Sequence, residues 1–176
     1  APKLNIGWYS FACSEDSTIM FAELLNDYFF DFKAHFNFVD APVLSSKRDE
    51  KMPLDIVFIE GAANSPHNIE LMKKLRARSK KVVAIGSCAC TGQPAGNRNN
   101  FNHEQLAEID FILKRFNYAP KVLKVDEVIP VDAKVPGCPM DLDAFMAAVN
   151  SLLQEFGHQP ITLVTNPMDP STKDQT

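Results

Sequence analysis

The chain is short of several things, and each shortage closes a class of function. Positive charge is not in excess: 18 Lys and Arg stand against 22 Asp and Glu, a formal net charge of −4. Nucleic acid and anionic membrane surfaces are therefore not its expected partners. No stretch approaches the ~20 apolar residues that a bilayer-spanning helix needs. No charged-then-apolar leader is visible at the start, although Ala1 could follow either a removed Met or a cleaved leader. Cysteine is sparse for a disulfide scaffold, with four in 176 residues, whereas small secreted disulfide domains are dense in it. The even count still leaves two bridges open. No internal repeat, low-complexity block or strong boundary divides the sequence.

What is present is ordinary globular material. Hydrophobic residues make up 45% and charged residues 23%, enough apolar substance for one real core in one domain. Phenylalanine is abundant, and Phe29, Phe30, Phe32, Phe36 and Phe38 crowd into ten positions. Such a group is expected to divide between the core and a subunit interface, where aromatics are enriched.

Strand and helix signals alternate. Leu4–Tyr9 reads as a short apolar strand running into Cys13, after which Ser17 is placed to cap a helix through Ile19, Phe21, Leu24, Leu25 and Tyr28. Phe36–Val39 reads as a second strand, and 41–53 as a solvated loop. Leu54–Ile59 is a buried strand by pattern, ending in Glu60-Gly61. Ser65-Pro66 opens a helix, because proline suits the first helical position. Its end carries Lys73, Lys74, Arg76 and Arg78, followed by Lys80 and Lys81, basic residues favoured by the helix dipole. A docking patch for an acidic electron carrier is the sharper reading of that run. Lys81–Ile85 is a further strand closed by Gly86-Ser87-Cys88. Residues 92–102 read as a long loop and Glu104–Tyr118 as a helix. Val122–Ile129 is expected to hold one or two short strands. Asp141 is placed to cap a last helix reaching Phe156. The alternation implies a parallel sheet covered on both faces, an α/β sandwich of three layers.

In an open parallel sheet, functional groups gather beyond the carboxyl ends of the strands. Cys13, Cys88, Cys90 and Cys138 all follow expected strands, and so map to one rim. Thiolates converging there make a soft-metal site. Their spacing does not fit the paired knuckles of structural zinc, whereas iron–sulfur clusters accept thiolates from distant loops. Gly86, Gly92 and Gly137 beside the cysteines let backbone approach a bulky group. Inert packing is the ordinary fate of a free cysteine and the default for Cys90. Helix capping is the competing reading for Asp16 and for Glu60. Glu15 reads as solvated charge, and His35, His67, His103 and His158 as surface or capping residues.

Gly86-Ser87-Cys88-Ala89, Pro136-Gly137-Cys138-Pro139 and the strand ending in Glu60-Gly61 resemble motifs of the small subunit of nickel–iron hydrogenases. That family shares its fold and cluster site with the 20 kDa-type subunit of complex I. The resemblance runs from about Leu4 to Phe156. It implies a flavodoxin-like iron–sulfur domain over 1–157, with an extended or disordered tail over 158–176. It implies one 4Fe-4S cluster held by Cys13, Cys88 and Cys138, with Gly86, Ser87, Gly137 and Pro139 around it. The family's Cys-x-x-Cys is here Cys13-Ser14-Glu15-Asp16, so Asp16 stands where the fourth cysteine belongs. Asp16 is the expected fourth ligand, with Cys90 as the alternative; a three-iron or absent cluster also remains open. The resemblance places a nickel–iron (NiFe) centre in a separate large subunit and no catalytic residue in this chain. It further implies a cytoplasmic complex and a partner bearing flavin or more iron–sulfur clusters, with NAD(P), F420 or ferredoxin as final acceptor. Two other readings stay open: a quinone-linked or membrane-associated subunit of complex I type that handles no hydrogen, and a metal-free flavodoxin-like binding module.

Overall fold

The computed structural model describes residues 1–163. Five strands form one parallel sheet in the order β2-β1-β3-β4-β5. They are β1 (Leu4–Ser10), β2 (Phe36–Asp40), β3 (Leu54–Glu60), β4 (Ser79–Ile85) and β5 (Ala133–Val135). The helices are α1 (Asp16–His35), α2 (Pro66–Arg78), α3 (Gly86–Thr91), α4 (His103–Arg115), α5 (Val125–Val128) and α6 (Leu142–Glu155). This is the flavodoxin-like strand order, whose direction of progression reverses between β1 and β3.

Strand side chains alternate between two cores, as a pleat requires. Ile6, Trp8, Ile56, Phe58, Val83 and Ile85 meet α1 and α6 on one face. Tyr9, Val57, Ile59, Val82 and Ala84 meet α2, α3 and α5 on the other. With both faces covered, every residue of β3 except Asp55 is buried, which is why its sequence is a continuous apolar run. Trp8 anchors the first core. It lies stacked 4.1 Å from Phe21 and 5.2 Å from Phe58, and its indole N–H donates to Thr18 Oγ1 at 2.8 Å. The phenylalanine group does divide: Phe32 and Phe36 are buried, Phe38 is partly buried, and Phe29 and Phe30 are exposed.

Two helix starts follow the expected chemistry. Ser65 Oγ accepts from Asn68 N with Pro66 in the first turn, and Asp141 Oδ1 accepts from Ala144 N. Two local expectations are overturned. Helix α1 begins at Asp16, and Ser17 is not its cap: Ser17 Oγ instead accepts from Met140 N, in the loop before α6. Gly86-Ser87-Cys88, which closes β4 as expected, is also the first part of α3. The strands expected over 122–129 are one antiparallel bridge, Ala63 to Leu123, and the short helix α5. There the buried residues Val122, Val125 and Ile129 are spaced at a helical period rather than by two, and Glu127 caps the backbone of Lys124. After α6, residues 158–163 carry no regular structure, but Ile161 is buried and exchanges two hydrogen bonds with the Asn150 side chain. The remainder of the expected tail, 164–176, lies outside the described residues. Among the described residues no helix is long and apolar enough to cross a membrane.

The basic run closing α2 is engaged by particular carboxylates rather than by the helix dipole alone. Arg76 pairs with Asp132 at 2.6 Å, Lys80 with Asp55 at 2.7 Å and Lys81 with Glu155 at 2.5 Å. Arg78 pairs with the fully buried Asp40 and donates to the carbonyls of Asp49 and Met52, pinning the 41–53 loop to the body. Asp40 also accepts from Tyr9 Oη at 2.6 Å. Burial first, and then this hydrogen bond, push the Tyr9 phenol well above its ordinary value. Arg78→Ala leaves Asp40 buried without its cation and is expected to destabilise the chain by about 3 kcal/mol, read by denaturant unfolding. The folded state holds the Tyr9 proton more tightly than the unfolded state does. Its contribution is therefore complete below the ordinary phenol pKa of about 10 and is lost as pH rises above it. Tyr9→Phe is expected to flatten that alkaline loss of stability relative to the parent chain.

Candidate metal centre

The site is built where β1, β3, β4 and β5 end. Beyond β1, Phe11 N donates to Glu60 O at 2.8 Å, and Ala12 pairs with Ala62 in an antiparallel bridge. This brings Cys13 beside the end of β3. Beyond β4 the chain turns at Gly86 into α3, which carries Cys88. Beyond β5 it turns at Gly137 and presents Cys138. Two links hold these loops together: Ser87 N donates to Gly137 O at 2.7 Å, and Met140 N to Ser17 Oγ at 3.0 Å.

Glu60 ties the two halves of the rim. It is 3% exposed. Oε1 accepts from Ser17 N at 3.0 Å, and Oε2 accepts from Thr18 N at 3.0 Å and from Thr18 Oγ1 at 2.5 Å. A side chain from β3 therefore caps the amino end of α1, satisfying donors that no residue of that helix reaches. Thr18 completes a chain from the indole of Trp8 through its hydroxyl to Glu60. Nothing in the spacing of the sequence announces Thr18 or Trp8 in this role, because these contacts form only in the fold.

Cys13, Cys88 and Cys138 line one shallow depression of about 10 Å³, together with Ser14, Ser17, Glu60, Gly86, Ser87 and Gly137. Cys88 is buried, Cys13 half-buried and Cys138 exposed. Asp16 stands at the same edge: its Oδ2 accepts from Cys138 Sγ at 3.5 Å, and Ser14 Oγ lies 3.8 Å from that sulfur. The glycines are required by their backbone. Gly86 has φ +83° and Gly137 has φ +115°. A Cβ on Gly137 would fall 2.5 Å from Pro139 O, and one on Gly86 would fall 3.2 Å from Ser17 Oγ. Pro139 belongs to the same turn.

Cys90 is placed differently. Two positions apart on α3, Cys88 and Cys90 face opposite sides of the helix. Cys90 is buried in the second core, and its thiol donates to Ala84 O at 3.5 Å. It does not line the depression, and unwinding α3 is what it would take to bring it there.

Burial pushes the thiols of Cys13 and Cys88 upward, with Glu60 adding to the effect at both. Both are therefore neutral near pH 7, and taking a metal there releases protons. Among the described residues, no three His, Cys, Asp or Glu side chains gather tightly enough to hold one metal ion. A single tetrahedral zinc needs its sulfurs within about 4 Å of one another. Here three thiols from separate loops line one shallow depression.

A family model described as NADH ubiquinone oxidoreductase, 20 Kd subunit, matches residues 12–152, a span that contains the whole depression. One component of the F420-non-reducing hydrogenase of Methanothermobacter thermautotrophicus is 33% identical over 138 residues, covering 70% of this chain and 45% of that protein. The delta subunit of the NAD-reducing hydrogenase HoxS of Cupriavidus necator is 29% identical over 114 residues, covering 56% and 54%. The chain thus spans about half the length of these relatives. Among solved structures, an NAD+-reducing nickel–iron hydrogenase in the H2-reduced state contains a chain that superposes with a TM-score of 0.73. The match covers 92% of this chain and 96% of that one at 22% identity, a likeness of fold. The matched residues run from the strand end that carries Cys13 through most of the last helix, and the chain belongs to the family of the NADH ubiquinone oxidoreductase 20 Kd subunit.

Proposed function

We propose that this chain is the electron-transferring small subunit of a cytoplasmic nickel–iron hydrogenase, and that its rim depression holds one 4Fe-4S cluster. The observation that carries the reading is the meeting of Cys13, Cys88 and Cys138, from three separate loops, around one depression at the point where the sheet order reverses. Thiolate donors suit iron–sulfur iron, and single thiolates from three separate loops suit a cluster better than a structural zinc with its paired knuckles.

When bound, the cluster supplies one-electron transfer. The residues of this chain do the rest. Cys13, Cys88 and Cys138 give up their protons and provide three donors. Asp16, already bonded to Cys138, provides a harder oxygen donor as the fourth. Gly86 and Gly137 keep side chains out of the depression, and the N–H groups of that backbone are available to the cluster's sulfurs. Glu60 fixes the amino end of α1, and with it the positions of Cys13 and Asp16. The active centre that cleaves dihydrogen belongs to a separate large subunit. Electrons pass on to a partner with flavin or further clusters, and from there to a soluble acceptor such as a nicotinamide or deazaflavin.

The quinone-linked alternative is favoured by one observation, the description of the matching family. The relatives' own descriptions as hydrogenase subunits, together with Glu60-Gly61, support the hydrogen-handling reading instead.

Anaerobic purification is expected to give a brown chain with about four iron and four sulfide per molecule; a colourless chain without iron would overturn the reading. Hydrogen uptake by its complex with a large subunit separates the hydrogenase from the quinone-linked form. Cys88→Ala and Cys138→Ala are each expected to lose most of the bound iron, whereas Cys90→Ala keeps it, all read by iron and sulfide analysis. Asp16→Cys is expected to keep a four-iron cluster but shift its midpoint potential in redox-titrated electron paramagnetic resonance. An unchanged potential removes Asp16 from the ligand set.

A further inference from the structure

Helices α1 and α6 finish side by side at the end of the sheet opposite the cysteines, and a histidine stands at each finish. His35 is the last residue of α1. His158 follows Gly157, which closes α6 with φ +78°. There Gly157 N donates to Gln154 O at 3.0 Å and His158 N to Leu153 O at 2.8 Å, the paired hydrogen bonds with which a glycine ends a helix. The two imidazoles meet edge to face, with ring centres 5.4 Å apart and Nδ1 3.2 Å from Nδ1. On its other side His158 Nε2 lies 3.1 Å from the carbonyl of Pro2, just before β1. Both rings are half-buried. This one pair thus joins the start of β1, the end of α1 and the segment after α6.

The partners fix where the protons sit. A carbonyl only accepts, so His158 Nε2 carries a hydrogen and donates it to Pro2 O. In a neutral ring Nδ1 is then bare and accepts, and His35 Nδ1 supplies the hydrogen between the rings. One extra proton fits this arrangement: on His35 Nε2 it leaves the bond in place. A second has to sit on His158 Nδ1, where it meets an N–H and a like charge. Each ring stands at the carboxyl end of a helix, where the dipole favours a cation. Acidification therefore presses both rings to charge, and the contact admits one proton only. The surrounding charges do not relieve this. Asp31 favours the proton on His35, but burial first, then His158 and the amino group of Ala1, oppose it and hold this ring below its ordinary value. Lys33 lies over the Phe29 ring, Lys3 is exposed, and Glu155 at the end of α6 is paired with Lys81.

We propose that His35 and His158 form a pH-operated latch, closed near neutral pH and opened by mild acid, which holds the segment after α6 to the start of β1. It stands independently of the hydrogenase reading. The unfolded chain protonates both rings near the ordinary imidazole value of about 6.5, whereas the closed latch takes its second proton only at lower pH. The latch therefore contributes fully above that value and is lost as pH falls below it. Below it the segment keeps the two hydrogen bonds between Ile161 and Asn150 and the burial of Ile161 in the first core. Opening is thus local, and the rest of the fold stays closed.

The test uses the full chain as purified anaerobically. Exchange of the backbone amides of 157–161, corrected for the intrinsic effect of pH, is expected to be about fivefold faster at pH 5 than at pH 7, the size of one hydrogen bond. His35→Gln and His158→Gln cannot be charged at the latch and are each expected to abolish that dependence, whereas His103→Gln, at the exposed start of α4, keeps it. Ring-proton magnetic resonance of the parent needs no variant. It is expected to show the pair titrating in two steps, separated at least about tenfold in proton affinity. Equal pH dependence in the parent and both latch variants overturns the proposal, as does a parent without any. Two independent titrations near the ordinary imidazole value overturn it as well.

Discussion

The rim is organised by one carboxylate. Glu60 ends the central strand, is almost completely buried, and spends both oxygens on the first turn of α1. A buried carboxylate is tolerable only when hydrogen-bonded throughout. Three donors at or below 3.0 Å, two of them N–H groups at the positive end of a helix, meet that condition. Each such bond contributes on the order of 1–2 kcal/mol net. Removing the acceptor would leave helix-end donors buried and unmet, which costs more than the bonds contribute. The interaction therefore fixes the angle at which the chain leaves β1. With that angle it fixes Cys13 and Asp16, the first of which faces the depression while the second reaches Cys138.

Around this anchor the other loops are set by small polar links rather than by packing. Ser17 continues the first turn of α1 and accepts from Met140, holding the Cys138 loop. Gly137 O accepts from Ser87 and holds the start of α3. These links need glycine at Gly86 and Gly137, because both backbones are left-handed and closely approached. The same Gly-Ser-Cys and Pro-Gly-Cys stretches that carry the resemblance are therefore explained twice. They present sulfur, and they let three loops lie within hydrogen-bonding distance of each other.

The sheet was legible in the sequence wherever both faces are buried, since Leu54–Ile59 and Lys81–Ile85 have no other reading as apolar β-branched runs. Helix starts were legible where the capping residue is local, at Ser65 and Asp141. Strand ends alone placed all four cysteines at one rim; Cys13, Cys88 and Cys138 are there, and Cys90 lies in the second core instead. What escaped depends on contacts distant in the chain or on weak local signals. The capping reading of Glu60 holds, but which helix it caps did not follow, because its partner Ser17 lies 43 positions earlier and itself looked like the cap. Arg78 reaches Asp40 across 38 positions. Residues 86–91 have too little periodicity to reveal a helix, and the fate of Cys90 turns on that: in a turn it could swing toward Cys88, whereas on α3 it is directed into the opposite core.

This distribution of donors has a consequence for how the site comes into being. Each candidate cysteine ligand lies beyond a different strand, so no segment of the unfolded chain holds two of the three cysteines near one another. The depression exists only once β1, β3, β4 and β5 are in register. The links that shape it, however, involve no sulfur: they are Glu60 to α1, Ser17 to Met140 and Ser87 to Gly137. These three links leave the sulfurs of Cys13, Cys88 and Cys138 to the site. Burial raises the thiol pKa of Cys13 and Cys88, so ligation at these residues releases protons and is favoured by the thiolate that higher pH supplies.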